Sequence, residues 1–161
     1  MDRAALRDYL NDHLAGSIFA IDLVRRRAEL HPGDVGRFFG EFAAELEADQ
    51  RDLRAAMKEV GAQPQLMKQG LAILGSWVDA LRPRRRPPSL VRDLEILASG
   101  VHTKGSLWAT LRRLADSGSP LLAIEDVDRL QQRAAAQERE LSELHDKAVQ
   151  QEFNVAERPA S

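Results

Sequence analysis

Four polar residues occupy positions where the helical pattern of this sequence otherwise places apolar side chains. They are His13, Asp49, Lys104 and Gln137. A buried charged side chain is unfavourable unless a group of opposite charge and hydrogen bonds compensate it. Asp49 is the acidic residue that lies squarely on an apolar stripe, so we expect it to form an ion pair with Lys104.

The positions of these residues along the chain predict that they share one layer. In an antiparallel helical hairpin, residues equidistant from the turn lie side by side. The turns "HPGD" and "SGSP" therefore bring His13 near Asp49 and Lys104 near Gln137. Each residue is close to the middle of its helix, which predicts a central polar layer once the hairpins pack together. The alternative is that one or two of the side chains extend to solvent.

Three glycines lie near the same level. Gly16 is close to His13, and Gly100 and Gly105 flank Lys104. Glycine in the middle of a helix costs about 1 kcal/mol relative to alanine. We therefore expect the helices to approach each other closely at this level.

Two further pairs of residues have the chemistry of metal ligands. Glu95 and His102 lie on one flank of their helix, and Glu138 and His145 lie on one flank of theirs. Imidazole and carboxylate groups suit zinc or iron, so an off-centre metal site is one interpretation. The preferred one is that these are ordinary surface residues of a charged protein, and we expect neither a resident metal nor a cofactor.

The sequence offers no evident catalytic group. It contains no cysteine, and no serine, histidine and acid form a convincing triad. A buried lysine with a lowered pKa could act as a base or a Schiff-base amine, but a neighbouring Asp49 would favour the charged form. We therefore assign no catalytic residue and expect a non-enzymatic protein.

Helical periodicity is nearly continuous along the chain, and strand patterns are almost absent. The predicted helices cover about 3–30, 34–60, 64–82, 89–116 and 120–151, and a loose tail covers 153–161. Asp2 and Asp34 are the expected caps of the first two helices. The prediction is a single all-α domain over 1–152, with two antiparallel hairpins joined by a long, partly helical crossover.

The crossover contains an apolar and a basic segment. Helix 64–82 has a wide apolar side that includes Leu66, Leu74, Trp77 and Leu81. Its polar face has few basic residues, so we expect it to dock on the bundle or a dimer partner and not on a membrane. The segment "RPRRRPP" breaks the helical pattern and could contact phosphates, but a solvated linker is the preferred interpretation.

The composition excludes several classes of partner. Of 161 residues, 43% are hydrophobic and 30% are charged, which is typical of a soluble globular protein. The net charge of −2 gives no basic field for nucleic acid or an anionic membrane. Apolar runs are too short to span a bilayer. The lack of cysteine fits a reducing compartment, so we expect a cytoplasmic protein.

In length, helix arrangement and mid-bundle polar layer, the chain resembles the ferritin-like superfamily. The resemblance implies a four-helix bundle, and in the metal-binding members the layer holds two metals through glutamates and Glu-x-x-His motifs. Here the residues three positions before the histidines are Leu10, Ala28, Ser99 and Ser142, so that motif is missing. The bundle therefore resembles one in which a protein-only polar network replaces the metal site.

These observations predict a structural or protein-interaction role for a ferritin-like bundle. Self-association is expected, with a dimer favoured. Two alternatives stay open: a metal-binding member with divergent di-iron or di-manganese ligands, and a binder of small apolar ligands that uses space beside helix 64–82.

Overall fold

The computed structural model describes residues 1–64 and 89–154, and within these ranges the fold consists of four long α-helices. They are α1 (Arg3–Leu30), α2 (Asp34–Glu59), α3 (Leu90–Asp116) and α4 (Ile124–Phe153). The prediction of an all-α four-helix bundle is confirmed. Helix 64–82, with its apolar residues, and nearly all of the tail 153–161 lie outside the described residues.

Two helix starts follow the capping chemistry of the sequence. The Asp2 carboxylate accepts hydrogen bonds from the backbone N–H groups of Ala4 (3.0 Å) and Ala5 (3.1 Å), as predicted. The Ser89 hydroxyl accepts from the N–H of Arg92 at 3.2 Å. Each contact satisfies an N–H group that has no partner within the helix.

The other two helix starts differ from the prediction. The cap of α2 is Gly33 with φ +79°, and Asp34 is the first helical residue. A positive φ is more favourable for glycine than for other residues, so Gly33 takes the capping position that was predicted for Asp34. α4 begins at Ile124 instead of residue 120, because the chain after Pro120 first folds Leu121 into the core, where it is 7% exposed.

Two apolar clusters define the directions of the helices. One contains the start of α1, the end of α2, the end of α3 and the start of α4, and its largest members include Leu6, Leu10, Met57, Trp108, Leu111, Val127 and Leu130. The other contains the opposite end of every helix, with Val24, Phe39, Phe42, Leu94 and Leu141. α1 is thus antiparallel to α2 and α3, and α3 is antiparallel to α4.

This arrangement contains the two predicted hairpins and places the crossover between them. The chain leaves α2 at one end of the bundle and enters α3 at the other. Helices of this length extend about 40 Å, so the two ends of the crossover are separated by roughly that distance. Among the described residues, no helix is long and apolar enough to cross a membrane.

A buried ion pair that the sequence analysis did not identify joins α1 to α3. The Arg27 guanidinium donates from Nη2 to Asp93 Oδ1 at 2.9 Å, and its Nε lies 2.6 Å from Asp93 Oδ2. The exposed fractions of the two side chains are 14% and 8%. Burial raises the pKa of Asp93, and the charge and hydrogen bond of Arg27 offset part of that rise. The contact fixes the last turn of α1 against the first turn of α3.

Replacing Arg27 with methionine should destabilise the fold by about 3–5 kcal/mol at pH 7, because it leaves the Asp93 carboxylate buried without its partner. The pKa of Asp93 in the folded variant should rise further. Between its unfolded value near ~4 and the raised folded value, the folded state holds a proton that the unfolded state releases. Stability should therefore fall as pH rises through that window, and the deficit should be smaller at pH 4 in urea denaturation.

Arg25→Met is the matched control, because Arg25 forms an exposed ion pair with Glu47 at 2.7 Å. An exposed pair contributes about 0–1 kcal/mol, so this change should have little effect at either pH. An Arg27→Met deficit that is the same at pH 4 and pH 7 would contradict the burial of an uncompensated Asp93 carboxylate.

Candidate functional site

A buried network of polar side chains crosses the middle of the bundle. Asp49 on α2 is its centre, with Oδ2 2.5 Å from Lys104 Nζ and Oδ1 2.8 Å from Arg133 Nη1. Lys104 also donates to Gln137 Oε1. The Gln137 amide completes the chain of contacts by donating to Glu45 Oε2 at 2.7 Å. The network links α2, α3 and α4.

The network is close to neutral because two acids face two bases. The exposed fraction of the Asp49 side chain is only 4%, and that of Lys104 is 14%. Burial lowers the pKa of Lys104, while the charge and hydrogen bond of Asp49 oppose that shift. Both Asp49 oxygens are occupied by cationic donors, so this carboxylate has little capacity left for a metal ion.

The structure thus brings together three of the four residues predicted to form the layer. It also adds Glu45 and Arg133, which the sequence analysis did not assign. Each lies one helical turn before an assigned residue: Glu45 precedes Asp49, and Arg133 precedes Gln137. Their spacing of four residues from Asp49 and Gln137, on the same faces of α2 and α4, is the sequence signal that could have identified them.

His13 does not hydrogen-bond into this network in the described contacts. Its ring packs edge-to-face on Tyr9, with ring centroids 4.6 Å apart. Burial lowers the pKa of His13, with the nearby Asp12 opposing that shift. His13 nevertheless lies at the predicted level, because it shares the wall of a cavity with Asp49 and Lys104.

That cavity lies between α1 and α3, with α2 as its floor, and has a volume of about 230 Å³. Its lining is mainly apolar and includes Phe19, Phe42, Leu46, Leu53, Leu97, Val101, Leu107 and Trp108. The polar network borders it on one side through Asp49 and Lys104. Ser17 and Gln50 border it as well, and their side chains are hydrogen-bonded to each other at 2.9 Å.

Two of the glycines open this cavity, contrary to the predicted close approach of helices. Gly16 on α1 and Gly100 on α3 both line it, and a Cβ atom on either would have no neighbour within 4 Å in residues 1–64 and 89–154. Gly105 behaves differently, because its Cβ would lie 3.9 Å from Ala134 Cβ in ordinary contact. Only Gly105 therefore fits the expectation of helix packing.

The indole N–H of Trp108 is a buried hydrogen-bond donor. Its side chain lines the cavity, and the residue is 1% exposed. Its indole Nε1 is buried and has no hydrogen-bond partner among the residues that the structure describes. Buried polar groups are hydrogen-bonded in the great majority of cases, so this donor needs an explanation.

The four residues considered for an off-centre metal site form two separate pairs. His102 Nδ1 lies 3.3 Å from Glu138 Oε1, and His145 Nε2 lies 3.5 Å from Glu95 Oε1. The pairs are two helical turns apart along α3 and α4. Within residues 1–64 and 89–154, no cluster of three or more such side chains has the geometry of a metal site.

Comparison of the chain with protein-family models, curated proteins and solved structures gave no match. The ferritin-like resemblance therefore stays a prediction, while the helix arrangement that it implies is observed.

The network predicts an asymmetry between its two central charges. Lys104→Met leaves Asp49 paired with Arg133, so it should cost about 1–3 kcal/mol, chiefly from the lost hydrogen bonds. Asp49→Leu leaves the buried ammonium of Lys104 without the carboxylate that it contacts and should cost about 3–5 kcal/mol. The double variant should recover much of the larger loss. Chemical denaturation of the unmodified protein, the two single variants and the double variant gives the free energies of unfolding for a double-mutant cycle. Simple additivity of the two changes would contradict a direct contact.

Proposed function

We propose that the protein binds a small, largely apolar molecule in the cavity between α1 and α3. The observation that carries this proposal is a mainly apolar cavity bordered by two mid-helix glycines, Gly16 and Gly100, that no side chain of the described residues requires. This develops the small-ligand alternative from the sequence analysis, at a site formed by described residues of α1, α2 and α3.

The two glycines support a role for the open space itself. Each reduces helix stability by about 1 kcal/mol relative to alanine. A methyl group at Gly16 or Gly100 would meet no atom of the described residues within 4 Å, so packing among these residues does not demand glycine at either position. A sequence that was shaped for stability alone would favour alanine there. Side chains at both positions would narrow the cavity, so the glycines keep it accessible.

The volume of the cavity indicates the size of its ligand. A cavity of about 150 Å³ with an apolar lining is large enough to bind benzene. Scaling from that case, 230 Å³ holds about nine or ten non-hydrogen atoms. A single aromatic ring with a short substituent meets this limit, whereas a long acyl chain exceeds it.

The polar network suits a binding site because it holds the walls in place. Asp49 joins α2 to α3 through Lys104 and to α4 through Arg133. When a ligand enters a preformed cavity, few protein side chains have to become ordered, so the entropic cost of binding is small. The network thereby supports the cavity without taking part in chemistry.

The other expectations from the sequence stay predictions. They are a protein-interaction role, self-association into a dimer, a cytoplasmic location and membership of the ferritin-like superfamily. Sedimentation of the purified protein would test the dimer.

The proposal predicts that n-butylbenzene, with ten carbon atoms, binds in this cavity. Gly16→Leu and Gly100→Leu should each reduce its affinity at least about tenfold, because the new side chains enter the space that the ligand needs. Titration calorimetry gives the affinity, and a thermal unfolding curve checks that each variant is folded.

Gly40→Leu is the matched control. Gly40 also lies inside a helix, and within the described part of the chain no atom comes within 4 Å of its Cβ position, but it does not line the cavity. It should change stability as the other two substitutions do and leave binding intact. Failure of the unmodified protein to bind, or equal losses in all three variants, would overturn the proposal.

A further inference from the structure

One carboxylate on the cavity wall lies at the surface of the bundle. Asp12 on α1 lines the cavity and is exposed to solvent. It precedes Gly16, a second exposed lining residue, by four positions, so the two lie on the same face of the helix. On α3, Thr103 is both exposed and part of the lining. The cavity therefore opens to solvent between these two helices, and Asp12 lies at the opening.

The charge of Asp12 is not compensated by the described residues. Within residues 1–64 and 89–154, its carboxylate forms neither an ion pair nor a hydrogen bond. The lining contains two further charged residues, Asp49 and Lys104, and these contact each other at 2.5 Å. Two carboxylates and one ammonium thus line the cavity, which leaves the negative charge of Asp12 without a counterion there.

The other titratable residue of the lining adds no positive charge at neutral pH. Burial lowers the pKa of His13 from its ordinary value of 6.5, and Asp12 opposes only part of that shift. The His13 ring packs edge-to-face on Tyr9. The imidazole is therefore neutral at pH 7, so it does not repel a cation at the opening.

The same arrangement disfavours an anionic head group. At the opening, an anion would lie beside the Asp12 carboxylate. Deeper in the cavity, it would have to draw the Lys104 ammonium away from Asp49, which is 3% exposed and requires that compensation. An ammonium group at the opening meets neither difficulty, because it lies beside a free carboxylate and keeps part of its hydration.

From these contacts we infer that the ligand is a small amphiphilic cation, whose apolar body fills the cavity and whose ammonium group pairs with Asp12 at the opening. This inference rests on the proposed function and names the chemical class of its ligand. A primary amine with an aromatic ring on a short alkyl chain meets both requirements. Such an amine is protonated at pH 7, since alkylammonium groups have pKa values near ~10.

Three probes with the same aromatic body and different head groups test the inference. They are 3-phenylpropylamine, n-butylbenzene and 3-phenylpropanoate. Asp12→Asn should reduce the affinity for the amine about twofold to fivefold, the range expected of an exposed ion pair. It should leave the affinity for n-butylbenzene unchanged and increase that for the acid, because a repulsion is removed. Titration calorimetry at pH 7 measures the three affinities, and thermal unfolding checks that the variant is folded.

Glu140→Gln is the matched control. Glu140 is an exposed acid on α4, a helix that contributes none of the described lining residues, and its substitution changes the net charge by the same amount. It should leave all three affinities unchanged.

Ionic strength provides a second readout. In about 1 M salt the Debye length falls to about 3 Å, so the amine should bind the unmodified protein more weakly than at low salt. Binding of n-butylbenzene should not weaken. Asp12→Asn should remove the salt dependence of amine binding, which a purely structural role of Asp12 would not do.

The outcomes separate the two proposals. If n-butylbenzene binds and Asp12→Asn leaves the affinity for the amine unchanged, the inferred head group is wrong and the cavity remains a ligand site. Tighter binding of the acid than of the amine, or equal losses of amine affinity in Asp12→Asn and Glu140→Gln, would also overturn the inferred head group. Failure of n-butylbenzene to bind would overturn the proposed function itself, whatever the amine does.

Discussion

The carboxylate of Asp49 is the contact on which the middle of this bundle depends. Asp49 is 3% exposed, so its negative charge must be compensated inside the protein. Its two oxygens accept hydrogen bonds from cationic side chains on two different helices. Lys104 and Arg133 thereby connect α2 to α3 and to α4 at one level. The two apolar clusters lie on either side of this level, so the polar layer divides the core into halves. Shifting α2 by one residue would break both contacts at once, which fixes the register of the bundle.

The position of this polar layer is related to the position of the cavity between α1 and α3. Lys104 directs its ammonium towards α2 and α4, where Asp49 and Gln137 receive it. The neighbouring wall between α1 and α3 carries Gly16 and Gly100 in place of large side chains. The charges of Asp49 and Lys104 are thus satisfied within the layer, and the mainly apolar cavity borders that layer. In a di-metal layer, carboxylates would converge on the centre, whereas here cations already occupy the acid.

Periodicity was sufficient to predict the helices and much of the layer. Hairpin geometry relates residues within α1–α2 and within α3–α4, so it correctly paired Lys104 with Gln137. Arg133 lies outside that reasoning, because its contact with Asp49 depends on how the second hairpin packs against the first. The start of α4 was also missed, since burial of Leu121 outweighed the helix signal at Pro120. Open space is harder still to predict, because it depends on side chains from three helices.

Gly16 and Gly100 show how a local penalty points to a site. A glycine inside a helix is explained when another element packs against it, as Ala134 does against Gly105 at 3.9 Å. Where no described residue packs against the glycine, the helix is less stable than it would be with alanine, and no packing contact compensates for that loss. Such departures from local preference concentrate where a protein sacrifices stability for function. Two of them, Gly16 and Gly100, border one cavity. Packing among the described residues explains neither glycine, whereas the small apolar ligand proposed for this cavity accounts for both.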